Sequence, residues 1–577
     1  VKPLPTAAQR RRRLVTRALP LTVVAIVAFA LGASVGAPGS PEKEVAERFT
    51  EAWARGNFAA MYGELNAASR RAVSKKEFVA RYREAAEVAT LRNVSVGTPD
   101  DAVETGGRSV VPVPIEADTV AFGRVSANLE LPYSDGGVAW EESLVFPGLE
   151  RGNRLENRVD LALRAPILAR DGTPLAEGPA NAREHPLGSA AIDVTGEIGM
   201  ASEEEEASLA RRGFPPETPV GISGVEQAFN TRLAGIPGGS LLAVAKKGGS
   251  VRIISQSEPR AGAAVKTTID PDLQQAAVSG LAGQAGGVAV LDAGNGDVRA
   301  LAGQAFSAPQ PPGSTFKMLT TTAALQKGVV SLDDEFELTD GVNVGGRFIS
   351  NANGEVCGGT FREAFAESCN ADFAPLGPKI GNDDLVSTAE RFGFNSPPAI
   401  YAPRIVESVD PPESSIPTEI GDELDLGVSA IGQGEVLATP LQMATVAQTI
   451  GNDGVRSPTS LVVNRKLRPR MKPVRVMSKK IAAQLTELMV GVVTGGTGFA
   501  AAIPDAQVAG KTGTAELGPK PGTEGEEEPE QIKDAWFAAF APAENPRLAV
   551  GVLLIEAEAA GGEVAAPIAA QVLSAGI

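Results

Sequence analysis

Histidine is nearly missing from this chain: His185 is the only one in 577 residues. A Ser-His-Asp triad, a histidine-rich zinc site and a two-histidine metalloprotease helix therefore fall away. An enzyme built on this sequence must take its base from Lys, Glu, Asp or Tyr. His185 itself, in Glu-His-Pro, reads as a surface loop residue. Cysteine is scarce as well. Cys357 and Cys369 can make neither a four-ligand zinc site nor a disulfide scaffold. Aromatic residues are 5% of the chain, so the interior must lean on Ala, Val and Leu. An excess of positive charge is lacking too. The net charge of −17 argues against a nucleic-acid partner, which would need a basic face. Gly-rich stretches such as Gly495-Gly496-Thr497-Gly498 lack the Rossmann or P-loop pattern and read as turns. No motif calls for a metal or a cofactor.

What is present begins with an export pattern. Residues 1–18 hold the basic cluster Arg10 to Arg13, with Arg17 close behind. Residues 19–37 follow without a charge, and at ~1.5 Å rise per residue this run spans about 28 Å. A basic flank before an uncharged apolar run predicts a single-pass signal-anchor in the plasma membrane. Its tail would be cytoplasmic and everything after Ala37 extracytoplasmic. Pro38, directly after the small residues Ser34 to Ala37, favours an uncleaved anchor.

The length of 577 residues suggests three or four domains. Residues 41–150 start helically: Val45, Phe49 and Trp53 share one face, and Ser74 with Glu77 reads as a capping box before Phe78 and Tyr82. The period then changes to two. Val125, Ala127, Leu129 and Leu131 alternate, and Val138, Trp140, Leu144 and Phe146 do so less strictly, across the turn Ser134 to Gly137. These features predict a cone-shaped α+β spacer or docking domain. Residues 153–262 are Gly/Pro-rich and mixed, with a strand-turn-strand over Pro166 to Ala176, an acidic helix start at Glu203 to Glu206, and a short helix after Gly221. Residues 263–577 carry a helix from Asp272 and a hairpin around Asn295-Gly296. A second antiparallel pair, Trp536 to Ala541 and Leu548 to Ile555, comes from the other end. An antiparallel sheet flanked by helices is expected there.

Pro312-Gly313-Ser314-Thr315-Phe316-Lys317 opens a helix with Ser314 and Lys317 three residues apart on one face. That is a nucleophile with an amine base at the positive end of a helix dipole. Alone it is weak, because ordinary composition yields about one Ser-x-x-Lys by chance in such a length. Ser368-Cys369-Asn370 and Lys511-Thr512-Gly513-Thr514 follow in that order. The series Ser-x-x-Lys, Ser-x-Asn, Lys-Thr-Gly is that of the penicillin-recognising serine transferases.

From about residue 40 onward the chain resembles a class B penicillin-binding protein, a monofunctional D,D-transpeptidase. Supporting stretches are Ala430 to Gly434, Thr439-Pro440 and Gly510 to Glu516. The run Trp140 to Leu149 resembles the end of a MecA-type amino-terminal extension. The resemblance implies a multidomain α+β chain. It would hold a nuclear-transport-factor-like domain at 41–150, a pedestal or dimerisation domain at 153–262, and a β-lactamase-like transpeptidase domain at 263–577. It further implies that Ser314 is acylated, with Lys317 as its base and Ser368 as a proton relay. Asn370 would bind the substrate backbone, and Lys511, Thr512 and Thr514 around Gly513 would hold the terminal carboxylate. The backbone N–H groups of Ser314 and Thr514 would form the oxyanion hole. Lys317 acts as base only when neutral, and its ordinary pKa is about 10.4. Burial, the positive helix end and Lys511 all push it down.

The implied partners are peptidoglycan stem peptides, β-lactams, the membrane through 19–37, and proteins of a cell-wall synthesis complex. Competing outcomes are a D,D-carboxypeptidase or β-lactamase, in which water takes the acyl group, and a non-enzymatic β-lactam sensor or scaffold. In an exported chain Cys357 and Cys369 are candidates for a disulfide. One buried thiol and one surface thiol is the alternative. Leu517 to Gln531, with Glu526 to Glu528 in a row, reads as a mobile hairpin loop or as a negative rim that steers cationic acceptor peptides.

Overall fold

The computed structural model describes residues 40–246, 250–401, 411–520 and 531–577. The expected anchor at 19–37 and the acidic run Glu526 to Glu528 lie outside them. Among the described residues no helix is long and apolar enough to cross a membrane. The chain divides into two compact units. One runs to Leu161 and adds Ala210–Phe214 and Pro237–Glu258; the other takes Ala162–Leu209, Pro215–Ile236 and Pro259–Ile577. The segment expected as a pedestal, 153–262, is thus shared between the two.

In the first unit, helices Pro41–Ala54 and Lys75–Val88 turn Phe49, Trp53, Phe78 and Tyr82 inward, all 3% exposed or less. Burying each such ring contributes roughly 1.5–3 kcal/mol. The rings of Phe78 and Tyr82 lie 4.8 Å apart. They pack on the antiparallel strands Arg108–Thr119 and Arg124–Ser134, where Val111 faces Leu131 and Val113 faces Leu129. The turn that follows uses Asp135 and Gly136 at positive φ, as a tight hairpin requires. The strand expected through Val138 and Phe146 is not formed. Only Gly137–Val138 pairs with the sheet, and Glu142–Val145 is a 3-10 turn. Val138 instead bonds both ways to the loop after the short helix Phe58–Gly63, donating to Glu64 O and accepting from Asn66 N. Strands Asn153–Asp160, Gly238–Ala245 and Val251–Ser257 form a separate antiparallel sheet in this unit.

The second unit is built on a five-stranded antiparallel sheet. Its strands are β1 (Gly286–Asp292), β2 (Val298–Gly303), β3 (Ala509–Pro519), β4 (Gln531–Ala541) and β5 (Leu548–Leu554), in the order β2-β1-β5-β4-β3. Both faces are covered, so the strands are nearly continuous apolar runs, and alternate residues enter different cores. Val288, Val290, Phe537, Ala539, Val550 and Val552 pack with helices α1 (Pro271–Leu281) and, at the chain end, Gly561–Ser574. Ala289, Leu291, Trp536, Ala538, Phe540 and Leu553 join the larger core on the opposite face. That core contains α2 (Lys317–Lys327), whose residues Lys317 to Ala324 are all buried. The spacing of Phe316, Leu319 and Ala323 suggested one apolar face; the helix is enclosed on every side. Two of its threonines are accommodated by hydrogen bonds, Thr320 Oγ1 donating to Ala430 O and Thr322 Oγ1 to Met318 O, while the buried Thr321 hydroxyl has no partner among the described residues.

In the same unit, Arg164 and Arg183 converge on the fully buried Glu226, with Nε–Oε distances of 2.7 Å each. Near them, His185 departs from the surface reading. It is half-buried, its Nε2 has no hydrogen-bond partner, and burial holds its pKa below the usual value, so the ring is neutral.

Candidate active site

The Pro-Gly corner before Ser314 becomes a 3-10 turn, Gly313–Phe316, that runs directly into α2 at Lys317. Its entry is pressed against β3. Gly313 has φ +50°, and a Cβ there would lie 2.6 Å from Thr514 O; a Cβ at Gly513 would lie 2.7 Å from Pro312 O. Only glycine permits this approach, which sets the Ser314 turn against the Lys-Thr-Gly strand. Ser314 is half-buried. Among the described residues nothing accepts a hydrogen bond from its backbone N–H.

Ser368 and Asn370 arrive from a third direction. Helix α3 (Phe361–Glu367) starts with a complete capping box between Thr360 and Glu363 and ends at Ser368 in the left-handed region, φ +65°. For a non-glycine residue that conformation stores roughly 1–3 kcal/mol. The following residue, Cys369, is disulfide-bonded to Cys357, with Cα atoms 5.9 Å apart, which ties the Ser-x-Asn triplet to the strand Cys357–Thr360. The short helix α4 (Asn370–Phe373) comes next. Asn370 Nδ2 donates to Ser350 O at 3.0 Å, which directs Oδ1 toward Lys317.

The amine of Lys317 is enclosed by this triplet. Its Nζ donates to Ser368 O at 2.7 Å and Asn370 Oδ1 at 2.8 Å, and lies 3.4 Å from Ser368 Oγ. Lys511 Nζ donates to the same Ser368 Oγ at 2.8 Å and to Thr512 O at 3.2 Å. Both lysines are 0% exposed, and neither forms an ion pair among the described residues. Each instead lies near an aromatic face, Lys317 5.1 Å from the Phe373 ring and Lys511 5.6 Å from Phe365. Burial, and then the charge on Lys511, drives the Lys317 pKa well below its ordinary value, with Asp372 pulling the other way. Burial brings Lys511 down to about 7. Two cations cannot both persist around one hydroxyl in this setting, so Lys317 can be neutral at physiological pH.

The structure thus joins Lys317, Ser368, Asn370, Lys511 and Thr512 in one bonded cluster and places Ser314 beside Gly513 and Thr514. Several members were not read from the sequence. Thr497, expected only as part of a turn, has its hydroxyl 2.7 Å from Thr512 Oγ1 and orients it. Gly561 N donates to Thr514 Oγ1 at 3.4 Å. Phe365 and Phe373 line the two amines. Asp372 is buried beside them. For Asp372 a signal existed, since a carboxylate two residues beyond Asn370 falls on the same short helix. For Thr497 none did. The cluster holds two buried amines on either side of one hydroxyl, groups of the kind that acyl transfer uses as base and proton relay.

Residues 286–574, half of the chain, match the model of the penicillin binding protein transpeptidase domain. The chain belongs to the penicillin-binding protein transpeptidase family. Residues 177–267 match the penicillin-binding protein dimerisation domain, and residues 41–153 the NTF2-like N-terminal transpeptidase domain. Among curated proteins, the peptidoglycan D,D-transpeptidase PbpA of Mycolicibacterium smegmatis is 38% identical over 301 residues, 48% of this chain and 57% of that protein. PbpA of Mycobacterium tuberculosis is 37% identical over 305 residues, 49% of this chain and 58% of that protein. The chain therefore matches somewhat over half the length of these relatives. Among solved structures, penicillin-binding protein A from M. tuberculosis as a ceftriaxone acyl-enzyme complex matches with a TM-score of 0.55 at 28% identity. That match covers 72% of this chain and 98% of the other. The D,D-transpeptidase domain from Eggerthella lenta matches at 30% identity with the same TM-score and coverage. The penicillin-binding transpeptidase domain is thus the second unit's sheet and helices, with the described cluster at the edge formed by β3.

Proposed function

We propose that this penicillin-binding protein is a serine D,D-transpeptidase that cross-links peptidoglycan stem peptides through an acyl-enzyme on Ser314. The observation that carries the reading is the buried Lys317 amine, enclosed by Ser368 and Asn370 and facing Lys511 across one hydroxyl. Neutral Lys317 takes the proton of Ser314, whose oxygen attacks the penultimate D-Ala carbonyl. The backbone N–H groups of Ser314 and Thr514 receive the oxyanion. The proton passes through Ser368 to the leaving nitrogen. Lys511, Thr512 and Thr514 hold the terminal carboxylate, and an amine from a neighbouring stem peptide resolves the acyl-enzyme. Penicillin and other β-lactams acylate the same serine.

We place the catalytic unit outside the plasma membrane, anchored by residues 19–37, in contact with proteins of a cell-wall synthesis complex. The Cys357–Cys369 disulfide supports an oxidising, extracytoplasmic setting. Labelling with a fluorescent penicillin tests the site. The wild type should form a covalent adduct and Ser314→Ala none, whereas persistent labelling of the variant rejects the assignment. Product analysis with a stem-peptide analogue and an amine acceptor separates transpeptidation from hydrolysis.

A further inference from the structure

A pocket in the second unit shares no residue with the Ser314 cluster. Its walls are the loop of residues 393–399 after helix Asn382–Phe392, the start of helix Pro440–Gly451, and residues 456–459 with Met471 and Lys472. Among the described residues Arg456 and Lys472 line it and no Asp or Glu does, a local reversal of sign in a chain of net charge −17. Arg456 is half-buried. It has no hydrogen-bond or ion-pair partner among the described residues, and burial alone acts on its pKa, lowering it. The guanidinium stays charged at neutral pH all the same. Other enclosed guanidinium groups of this unit are given carboxylates: Arg164 and Arg183 meet Glu226, and Arg299 meets Asp292. A half-buried cation without one carries a desolvation cost that a bound anion would offset. The backbone makes room for it: Gly393 has φ +113°, and a Cβ there would lie 2.4 Å from Arg456 Nη1. Ser396 and Thr459 line the same space with hydroxyls that have no hydrogen-bond partner among the described residues. The cavity measures about 40 Å³, where ~10–15 Å³ on that measure holds one water. It has room for a small ion and too little for a peptide or a nucleotide.

We propose that this pocket binds a phosphate-class anion, with Arg456 and Lys472 as its cations and Ser396 and Thr459 as neutral donors. The planar guanidinium offers paired N–H donors that match two oxygens of a tetrahedral anion. A phosphoryl group carries about −1.5 to −2 charges at neutral pH, which two cations balance and a single carboxylate does not. Inorganic phosphate and the phosphoryl group of a phosphomonoester share this chemistry. The site stands independently of the reading of Ser314.

The test is the thermal melt of the full chain, extracted in detergent, at fixed pH and ionic strength, with chloride exchanged for inorganic phosphate, glycerol phosphate or acetate. The wild type should melt higher as inorganic phosphate rises, by about 2 °C or more near saturation. Arg456→Gln should lose that rise. Lys472→Glu, at an exposed position where folding is not at stake, brings a negative charge to the pocket and should lose it too. Calorimetric titration with inorganic phosphate should show saturable binding to the wild type and none to Arg456→Gln. A response to glycerol phosphate as large as that to phosphate supports an esterified phosphoryl group as the occupant, and a response to inorganic phosphate alone supports the free ion. A wild type that does not respond overturns the proposal. So does an equal response to acetate, or a rise that persists in both variants, which is the general effect of an excluded salt.

Discussion

Lys511 Nζ lies 2.8 Å from Ser368 Oγ, and the residues it joins are 143 positions apart in the chain. The same oxygen is 3.4 Å from Lys317 Nζ, so one hydroxyl stands between two buried amines. Removing it should break the proton path while leaving both amines in place. Ser368→Ala is expected to slow acylation by a fluorescent penicillin by ~10²-fold or more, with an unchanged thermal melt. A rate within twofold of wild type would remove Ser368 from the relay.

The burial of Lys511 has a thermodynamic consequence. Its folded pKa, about 7, lies below its ordinary 10.5, so between those values the native state binds fewer protons than the unfolded chain. Stability arising from this residue therefore rises as pH climbs from about 7 toward 10.5. Lys511→Met should melt above wild type at pH 7, by an amount on the order of a few kcal/mol in stability, and the gap should narrow as pH approaches 10. Acylation should be lost. Melting curves across pH check the slope, and a gap independent of pH would contradict it.

Thr497 tests orientation without touching charge. Thr497→Val leaves Thr512 Oγ1 without its 2.7 Å partner. The hydroxyl then keeps only the 3.5 Å contact from Lys511 Nζ and is free to turn from the substrate carboxylate. The expected result is a weaker apparent affinity for β-lactams with a carboxylate, by tenfold or more, with little change in the limiting acylation rate. A fall in the limiting rate alone would assign Thr497 a different part.

Glu226 should matter for folding and not for chemistry. Glu226→Gln leaves Arg164 and Arg183 facing each other without their shared carboxylate. Breaking a buried pair from one side typically costs about 3–5 kcal/mol. A marked drop in the melting temperature is expected, with an unaltered acylation rate constant for the protein that remains folded. Denaturant titration beside acylation kinetics separates the two.

The groups proposed for catalysis were legible because their chemistry imposes spacing: Ser314 and Lys317 share one helix start, and Ser368 and Asn370 flank one turn. The sheet was legible from apolar runs at both ends of the domain. What joins the pieces was not. Thr497 reaches Thr512 because the helix Lys479–Gly495 ends where β3 passes, a meeting of elements with no local mark. The missing strand after Val138 has the same cause. Its alternation allowed a strand, but the backbone of Glu64 and Asn66 offered both hydrogen bonds first, and tertiary pairing overrode local preference. The burial of Lys317 to Ala324 in α2 was equally invisible, since Thr320 and Thr322 look like a polar face until their hydroxyls are seen bonded to carbonyls.

The strand order β2-β1-β5-β4-β3 sets a timetable for synthesis. β1 and β2 are made before Ser314, yet β1 has its second neighbour only when Leu548–Leu554 exists. Until then the hairpin lacks its sheet, and every element between, α2 and the disulfide-tied Ser-x-Asn turn included, must wait without a platform. The domain is therefore of high contact order, slow to close and exposed to misassembly while it is made. Loss of the last few dozen residues would cost not a tail but the assembled nucleophile.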